Sequence, residues 1–307
     1  MKTASTKFAR SNLFFFLMLI LFLASTVKID RIFFKRNSSF SIHFLFSSLP
    51  NRSEWDLPPP SHDELQKLDS ALTQKFHYLG KGAHCYAFVS EDEQYVIKFH
   101  RFASHMRIFP WLNHPFSYRF NAERKKIKEY NLQKLSYNLQ NYKNSYSDLK
   151  EETGLIFLHI NKTDTLDRTV TLIDKTQAEY QIPLDKVTFI LQHKANLIYP
   201  TLDQLVAEKK IPEAKKVVTS IIHLIAQCCQ KGYVDDDPVL RKNYGLLSDR
   251  AIHIDVGDLI KNETVKEQSQ TLAHVKEMTE SLRIRLENQY PDLLEHYNEE
   301  IKKMSTF

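Results

Sequence analysis

The chain has 307 residues, of which 42% are hydrophobic and 26% charged, a composition typical of a globular protein with one or two domains. The net charge of +5, from 42 basic and 37 acidic residues, is too small and too scattered to indicate nucleic-acid binding. The three cysteines, Cys85, Cys228 and Cys229, exclude a disulfide framework, and no spacing typical of a structural zinc site occurs.

The N-terminal segment predicts a membrane anchor. Residues 1–10 form a basic tail, and the uncharged stretch 11–27 is just long enough for a spanning helix. A cleaved signal peptide is the alternative, because the small residues Ala24 and Ser25 follow the apolar run. Basic residues flank the stretch on both sides, so the side of the membrane stays open. We therefore expect a single-pass membrane protein.

A connector is predicted between this segment and the folded part of the chain. Residues 28–62 are basic, aromatic and rich in serine, and they include the proline run at 58–60, which cannot continue a helix. Ser61 and Glu64 then match the pattern of a capping box. The folded domain is therefore expected to begin with a helix near residue 63.

The remaining elements fall into separate blocks of strands and helices. A polar turn joins two β-type runs and predicts a hairpin. A long helix and three further strands follow, and the pattern beyond residue 200 is helical, with a closing helix broken near Pro291. Segregated blocks predict an α+β fold. The predicted ranges are 77–89 and 93–99 for the hairpin, 122–142 for the helix, and 154–159, 169–173 and 187–191 for the strands.

Two groups of residues have the chemistry of a nucleotide site. Gly80 and Gly82 lie at a hairpin tip, where the absence of side chains lets a backbone approach phosphates, and Lys98 ends the next strand. Much later, an acidic loop from Asp235 to Asn243 is followed by a short predicted hairpin. That hairpin ends in Asp255-Val-Gly, so carboxylate and amide oxygens suited to Mg²⁺ follow the loop.

This order of motifs resembles the protein-kinase-like superfamily, with the lysine strand, the Asp/Asn loop and an Asp-x-Gly segment. The resemblance implies a two-lobed fold, with a β-rich N-lobe at 63–194 and a small helical C-lobe at 195–307. It also implies ATP and Mg²⁺ as cofactors and a hydroxyl-bearing acceptor. Whether that acceptor is a small molecule, a lipid, a sugar or a protein stays open.

By the same resemblance, Gly80 and Gly82 cover the phosphates and Lys98 grips them. A glutamate on the following helix pairs with the lysine. Glu123 and Glu129 are the candidates, and Glu129 is favoured because it shares a helical face with apolar residues. The roles implied for the rest are adenine recognition next to Gln192, metal binding by Asn243 and Asp255, and catalysis by Asp237, with Asp235 in reserve.

The chain also departs from the family pattern. Asp237 stands six positions before Asn243 instead of five, with Pro238 at the usual place, and the His-Arg pair before the aspartate is missing. Cys85 replaces the third glycine of the glycine-rich loop. These departures favour a second hypothesis, a membrane-tethered pseudokinase that serves as a nucleotide-binding or scaffold module. A third hypothesis is an unrelated fold in which the motifs are coincidental.

Overall fold

Seven strands form the main sheet of the computed structural model, which describes residues 40–47, 49–82, 84–102 and 121–305, together with Met18. The sheet order is β4-β7-β3-β2-β1-β5-β6, and every neighbouring pair is antiparallel except β1 and β5. The strands are β1 Phe76–Lys81, β2 Cys85–Ser90, β3 Tyr95–His100, β4 Leu155–His159, β5 Thr169–Ile173, β6 Glu179–Pro183 and β7 Phe189–His193.

The predicted hairpin is formed by β2 and β3, with Lys98 paired to Ala87 across it. Side chains of β2 alternate between buried and partly buried, the pattern of a strand with one face on the core. The three later strands are also present. The sequence analysis did not predict β6, which pairs with β5 and has a single buried residue, Ile182.

Helices dominate the C-terminal part and flank the sheet, which gives the α+β architecture that the sequence predicts. The long helix predicted over 122–142 runs from residue 121 to 148, and the closing helix breaks at Tyr290, next to the predicted proline. The helices are α1 His62–Leu72, α2 Asn121–Asp148, α3 Lys150–Thr153, α4 Ile198–Ala207, α5 Ile211–Gln230, α6 Leu240–Asn243, α7 Gln268–Gln289 and α8 Pro291–Ser305.

Two small sheets lie among these helices and carry the later motifs. One has the order β11-β10-β8, and the other pairs β12 with β9. At Gly245 of β10 an added Cβ would lie 2.7 Å from the Cβ of Ala195, so only glycine permits this close approach of the two segments. The strands are β8 Asn196–Leu197, β9 Tyr233–Asp235, β10 Tyr244–Leu247, β11 Arg250–His253 and β12 Leu259–Lys261.

The buried side chains form two clusters. One packs against the main sheet and includes Phe76, Phe88 and Phe189. The other joins the inner face of α2 to the C-terminal helices, through residues such as Leu139 and Ile222. Strands β3 and β7 lie mainly in the first cluster, whereas α2 and β4 contribute to the second. Lys98, on β3, therefore lies where the two clusters adjoin.

Much of the predicted connector belongs to the folded body. Leu45 is fully buried and Trp55 is 4% exposed, and Phe46 forms a β-bridge with Val187. The Asn161 side chain and the backbone of Arg52 exchange hydrogen bonds of 3.1 and 2.8 Å. The apolar residues that the sequence analysis assigned to a connector are thus used as core, and packing begins at least twenty residues before the predicted boundary. The predicted capping box at Ser61 and Glu64 is present.

The predicted anchor at 11–27 lies outside the described residues apart from Met18. Within the described part of the chain, no helix combines the length and the apolar character needed to cross a bilayer.

Candidate functional site

Lys98 links the main sheet to the Asp255 segment. It lies in the middle of β3 between Ala87 and Ile190 of the neighbouring strands, and its ammonium group donates a hydrogen bond to the main-chain oxygen of Ile254. Burial lowers the pKa of this ammonium, and the nearby Asp255 carboxylate opposes that shift. The lysine is therefore held next to Asp255, for which the family resemblance implies a metal-binding role.

Asn243 reaches the same point from the other side. Its main-chain oxygen accepts a 2.7 Å hydrogen bond from the N–H of Ile254, so Ile254 is bonded to both Lys98 and Asn243. The buried Asn243 amide donates to the main-chain oxygen and to Oδ2 of Asp237, each at 3.1 Å. These two bonds fix Nδ2 toward Asp237 and thereby aim the amide oxygen away from it.

The extra residue of the Asp237 loop is taken up by a tight turn. The N–H of Val239 donates to the main-chain oxygen of Asp237 at 2.6 Å, which closes the chain around Pro238. The helical turn α6 then brings Asn243 back to Asp237. The loop therefore bulges at the proline and still leaves the Asp237 carboxylate partly exposed beside the asparagine.

Asp255 is exposed, and helix α2 holds the two residues that follow it. Asn141 donates a 2.9 Å hydrogen bond to the oxygen of Gly257, and the hydroxyl of Ser145 lies 3.5 Å from the oxygen of Val256. A Cβ on Gly257 would lie 3.1 Å from a ring carbon of the buried Tyr142. The Asp-Val-Gly segment thus needs its glycine to pack against α2.

The loop after Gly82 also lies near Asp255. Burial lowers the pKa of His84, and the Asp255 charge opposes this shift. Burial raises the pKa of Cys85 to about 11, with a further contribution from Asp255, so the thiol that replaces the third glycine stays protonated. The Cys85 sulfur lies 3.4 Å from the hydroxyl of Tyr142 on α2.

Asp258 is a carboxylate that the sequence analysis did not single out. Its pKa is raised to about 6, first by burial and then by the charges of Asp255, Asp235 and Asp237. Its sequence signal is the second aspartate in Asp-Val-Gly-Asp. The concentration of negative charge at this point is a physical reason to expect a cation there.

The residues present fit a magnesium ion held with phosphates. Within the described residues, no group of three or more His, Cys, Asp or Glu side chains is arranged to hold a metal ion alone. Asn243 and Asp255 offer hard oxygen donors, and Mg²⁺ in nucleotide sites characteristically takes one or two protein ligands, with phosphate and water oxygens completing the set.

Gly80 and Gly82 are not required by the fold. A Cβ at either position would meet nothing within 4 Å, and neither glycine has a positive φ. Gly154 and Gly232, in contrast, have φ values of +65° and +82° after helices, where a side chain would be strained. Arg101 braces the loop by donating to the oxygen of Gly82 at 2.8 Å.

The predicted pairing of Glu129 with Lys98 is not found. Glu129 is exposed and its carboxylate lies 3.9 Å from Lys125, while Lys98 donates to Ile254. Glu123 is exposed as well. The buried face of α2 lies further along the helix, and Tyr142 is the residue that approaches the Asp-Val-Gly segment.

Gln192 has a structural environment. Its buried side-chain amide donates to the main-chain oxygens of Thr153 and His253, the latter at 3.3 Å, which ties β7 to β11. The next two N–H groups, of His193 and Lys194, donate to protein carbonyls at 2.9 and 2.8 Å. The adenine-binding role expected around Gln192 therefore remains a prediction.

Asp235 is buried, with 6% of its surface exposed. Its two oxygens accept hydrogen bonds from the N–H of Asp237, from the hydroxyl of Tyr244 and from Nε2 of His253. A carboxylate surrounded by these donors does not face an acceptor, which leaves Asp237 as the better placed of the two catalytic candidates. Neither Tyr244 nor His253 was predicted.

No protein-family model matches the chain, and no curated protein is significantly similar to it. Several solved structures are similar.

The bifunctional kinase-methyltransferase WbdD is 16% identical, with a TM-score of 0.33. The match covers 71% of this chain and 43% of WbdD, so the chain spans less than half the length of that protein. The ROP18 kinase domain, solved with AMP-PNP and sucrose, is 11% identical over 74% of this chain and 79% of its own, at a TM-score of 0.35. Rv3197 from Mycobacterium tuberculosis, solved with erythromycin, is 11% identical. The match covers 78% of this chain and 60% of Rv3197, with a TM-score of 0.34. Likenesses this loose assign no activity to the chain.

Proposed function

We propose that the chain is an ATP-dependent phosphotransferase that moves the γ-phosphoryl group of ATP to a hydroxyl acceptor. The observation that carries the proposal is the meeting of Lys98 and Asn243 at Ile254, directly before Asp255. A cation and two oxygen donors from distant parts of the sequence are what a triphosphate with its metal requires.

Each residue has a role that its environment supports. Lys98 would neutralise phosphate charge, and its ammonium is already oriented by Ile254. Asn243 and Asp255 would hold Mg²⁺, which, when bound, neutralises charge developing on the transferred phosphoryl group. Asp237 would orient the acceptor hydroxyl and take its proton, because its carboxylate is partly exposed and lies against Asn243.

Gly80 and Gly82 agree with this assignment. Because neither Gly80 nor Gly82 is needed for packing or for backbone conformation, the fold gives no reason for these residues. Close approach of a ligand phosphate to the backbone would explain why glycine stands at both positions. Two glycines in a chain that has only 6 are thereby accounted for.

A pseudokinase is the second candidate, and the environment of Lys98 favours it. In active kinases a glutamate on the helix after the lysine strand pairs with that lysine. Here Glu129 faces Lys125, and the lysine bonds to a main-chain oxygen instead. Such a protein would bind nucleotide, or serve as a scaffold, without phosphoryl transfer. In either case residues 11–27 would tether it to a membrane.

The test is nucleotide binding to the full-length protein, measured by titration with ATP in the presence and absence of Mg²⁺. We expect Asp255→Asn to remove most of the affinity that Mg²⁺ adds, since the substitution keeps the shape and removes the charge. Asp249→Asn, at an exposed aspartate in the turn between β10 and β11, is the matched control. A wild-type protein that does not bind Mg·ATP would refute the proposal.

ATP consumption then separates the two candidates. If the chain is an enzyme, Asp237→Asn abolishes turnover while Mg·ATP binding remains, because Asp237 acts on the acceptor. If the wild type binds Mg·ATP and consumes none in the presence of sugar, lipid and peptide acceptors, the pseudokinase is the better description.

A further inference from the structure

One buried carboxylate joins the two segments of the proposed site. Oδ1 of Asp235 accepts a 2.9 Å hydrogen bond from the N–H of Asp237, within the acidic loop from Asp235 to Asn243. Oδ2 accepts from the hydroxyl of Tyr244 at 3.0 Å and from Nε2 of His253 at 2.6 Å. The three donors come from the loop, from β10 and from β11, so this side chain contacts all three segments.

Each of these bonds leads to a residue of the proposed site. Asp237 is hydrogen-bonded in turn to Asn243, and β11, which carries His253, runs directly into Asp255. This carboxylate therefore adds a side-chain link to the main-chain bonds that join the loop to the Asp255 segment, which run from Ile254 to Asn243 and from Asp236 to Asp258.

We propose that Asp235 is a positioning residue, which sets Asp237 and Asn243 at the correct distance from Asp255. The inference rests on the proposed nucleotide site and adds a residue that does not touch the nucleotide itself.

The donor count explains why an aspartate stands here. Three donors converge on Asp235, and an ionised carboxylate offers only acceptor sites. An asparagine would place its NH₂ group either against the N–H of Asp237, where a donor faces a donor, or against Tyr244 and His253, which would then have to accept instead of donate. We therefore expect Asp235→Asn to weaken the link between the two segments, although its size is unchanged.

His253 depends on the same bond. Its ring is 1% exposed, and its Nδ1 has no hydrogen-bond partner among the residues that the structure describes. The polar side of the ring is thus fixed by Asp235 through Nε2. Loss of that bond frees the ring that precedes Ile254 and Asp255 in the chain.

The experiment compares four full-length proteins: wild type, Asp235→Asn, Tyr244→Phe and Tyr297→Phe. Tyr244→Phe removes one donor from Asp235 and keeps the carboxylate. Tyr297→Phe is the control, since it removes a buried hydroxyl that bonds to Thr279 between α7 and α8 and not to Asp235. Melting curves first establish that each variant folds, and ATP affinity is then measured with Mg²⁺ and with EDTA.

We expect Asp235→Asn to lower the Mg²⁺-dependent gain in ATP affinity by about 10- to 100-fold, the usual cost of losing a residue that orients metal ligands. Affinity in EDTA should stay within about twofold, because Lys98 and the glycines are not anchored by Asp235. Tyr244→Phe should show a smaller loss and Tyr297→Phe none. If Asp235→Asn does not fold, Tyr244→Phe alone decides the question.

The outcomes distinguish this inference from the proposed function. Wild-type protein that binds no ATP, or that gains nothing from Mg²⁺, overturns both. A wild-type gain that persists in full in Asp235→Asn and Tyr244→Phe overturns the positioning role alone. Equal losses with Mg²⁺ and with EDTA also overturn it, since a general structural weakening predicts that result.

Discussion

Lys98 and Ile254 are separated by 156 positions in the sequence and joined by one hydrogen bond, from the lysine ammonium to the main-chain oxygen. The bond connects the middle of the main sheet to the strand end that precedes Asp255. The ammonium thus lies one residue from the Asp255 carboxylate, where the proposed function requires a cation for the phosphates. The first prediction follows from this arrangement.

Replacing Lys98 with methionine should separate stability from nucleotide binding. Burial disfavours the ammonium and lowers its pKa, while methionine has a similar volume and no charge. We expect the free energy of unfolding at pH 7 to rise by up to about 1 kcal/mol, and ATP affinity to fall at least about tenfold. Urea denaturation and ATP titration measure the two effects.

The stability gain of Lys98→Met should depend on pH in a defined direction. Because the folded-state pKa lies below 10.5, the charged lysine costs stability at neutral pH, and the cost falls as the pH rises past the lowered pKa and is gone above 10.5. Lys125→Met, at an exposed lysine of α2, is the control and should change stability by less than about 0.5 kcal/mol. A Lys98→Met protein that is less stable yet binds ATP normally would show that the lysine is structural.

Two glycines should respond oppositely to substitution by alanine. At Gly257 the new methyl group would lie 3.1 Å from the ring of Tyr142, which is buried and held by Cys85. We expect a loss of about 1–3 kcal/mol in the free energy of unfolding, the usual cost of overpacking. At Gly82 the methyl group meets open space, so stability should change by less than about 0.5 kcal/mol.

Nucleotide binding completes the comparison of the two glycines. Gly82→Ala should weaken ATP binding although the fold is intact, because the methyl group occupies the space that a phosphate would approach. Thermal melts and ATP titrations of both variants are the measurements. Unchanged ATP affinity in Gly82→Ala would leave this glycine without a role in the site.

The sequence predicted which motifs meet but not how each is held. The sequence patterns place Lys98 on a strand, Asn243 in the acidic loop and Asp255 after a short hairpin. The order of these motifs along the chain was enough to predict that they converge. The surroundings of Asp235 could not be foreseen, because its donors Tyr244 and His253 lie on a later hairpin whose register the sequence does not specify. Contacts between distant elements are decided by packing and not by local pattern.

Helix α2 shows where local pattern misleads. Glu129 shares a face with Leu132 and Leu139, which suggested that it points inward. The large side chains of α2 that are 2% exposed or less are Leu135, Leu139 and Tyr142, and they lie roughly a third of a turn from Glu129 at 100° per residue. Because apolar residues of α2 such as Leu132 are only half-buried, the sequence pattern does not locate the centre of the buried face, and the tertiary structure does.

Asp258→Asn should stabilise the protein at neutral pH. The folded-state pKa of about 6 exceeds the ordinary value of 3.8, so the folded protein holds this proton more tightly than the unfolded chain does. The ionised carboxylate therefore costs stability above pH 6 and not below about pH 4, with the cost growing between them. Allowing for solvent screening, we expect a gain on the order of 1–2 kcal/mol at pH 7.5.

The measurement is urea denaturation of Asp258→Asn and wild type in metal-free buffer from pH 4 to pH 7.5. The two proteins should be equally stable at pH 4 and diverge as the pH rises. Asp249→Asn is again the control, because Asp249 is exposed in the turn of the β10–β11 hairpin, at the opposite end from His253. A gain of the same size at pH 4 and pH 7.5 would show that the negative charge is not its cause.

The folded domain should require residues well before the boundary at residue 63 that the sequence suggested. Leu45 is fully buried in the cluster on the main sheet, so Leu45→Ala should cost about 2–5 kcal/mol in the free energy of unfolding. Leu79→Ala, at a leucine that is 54% exposed on β1, is the matched control and should cost less than about 0.5 kcal/mol. A chain that starts at residue 63 should likewise melt at a lower temperature than one that starts at residue 40, because it lacks both Leu45 and Trp55. Equal melting temperatures for these two chains would show that residues 40–60 add nothing to the core.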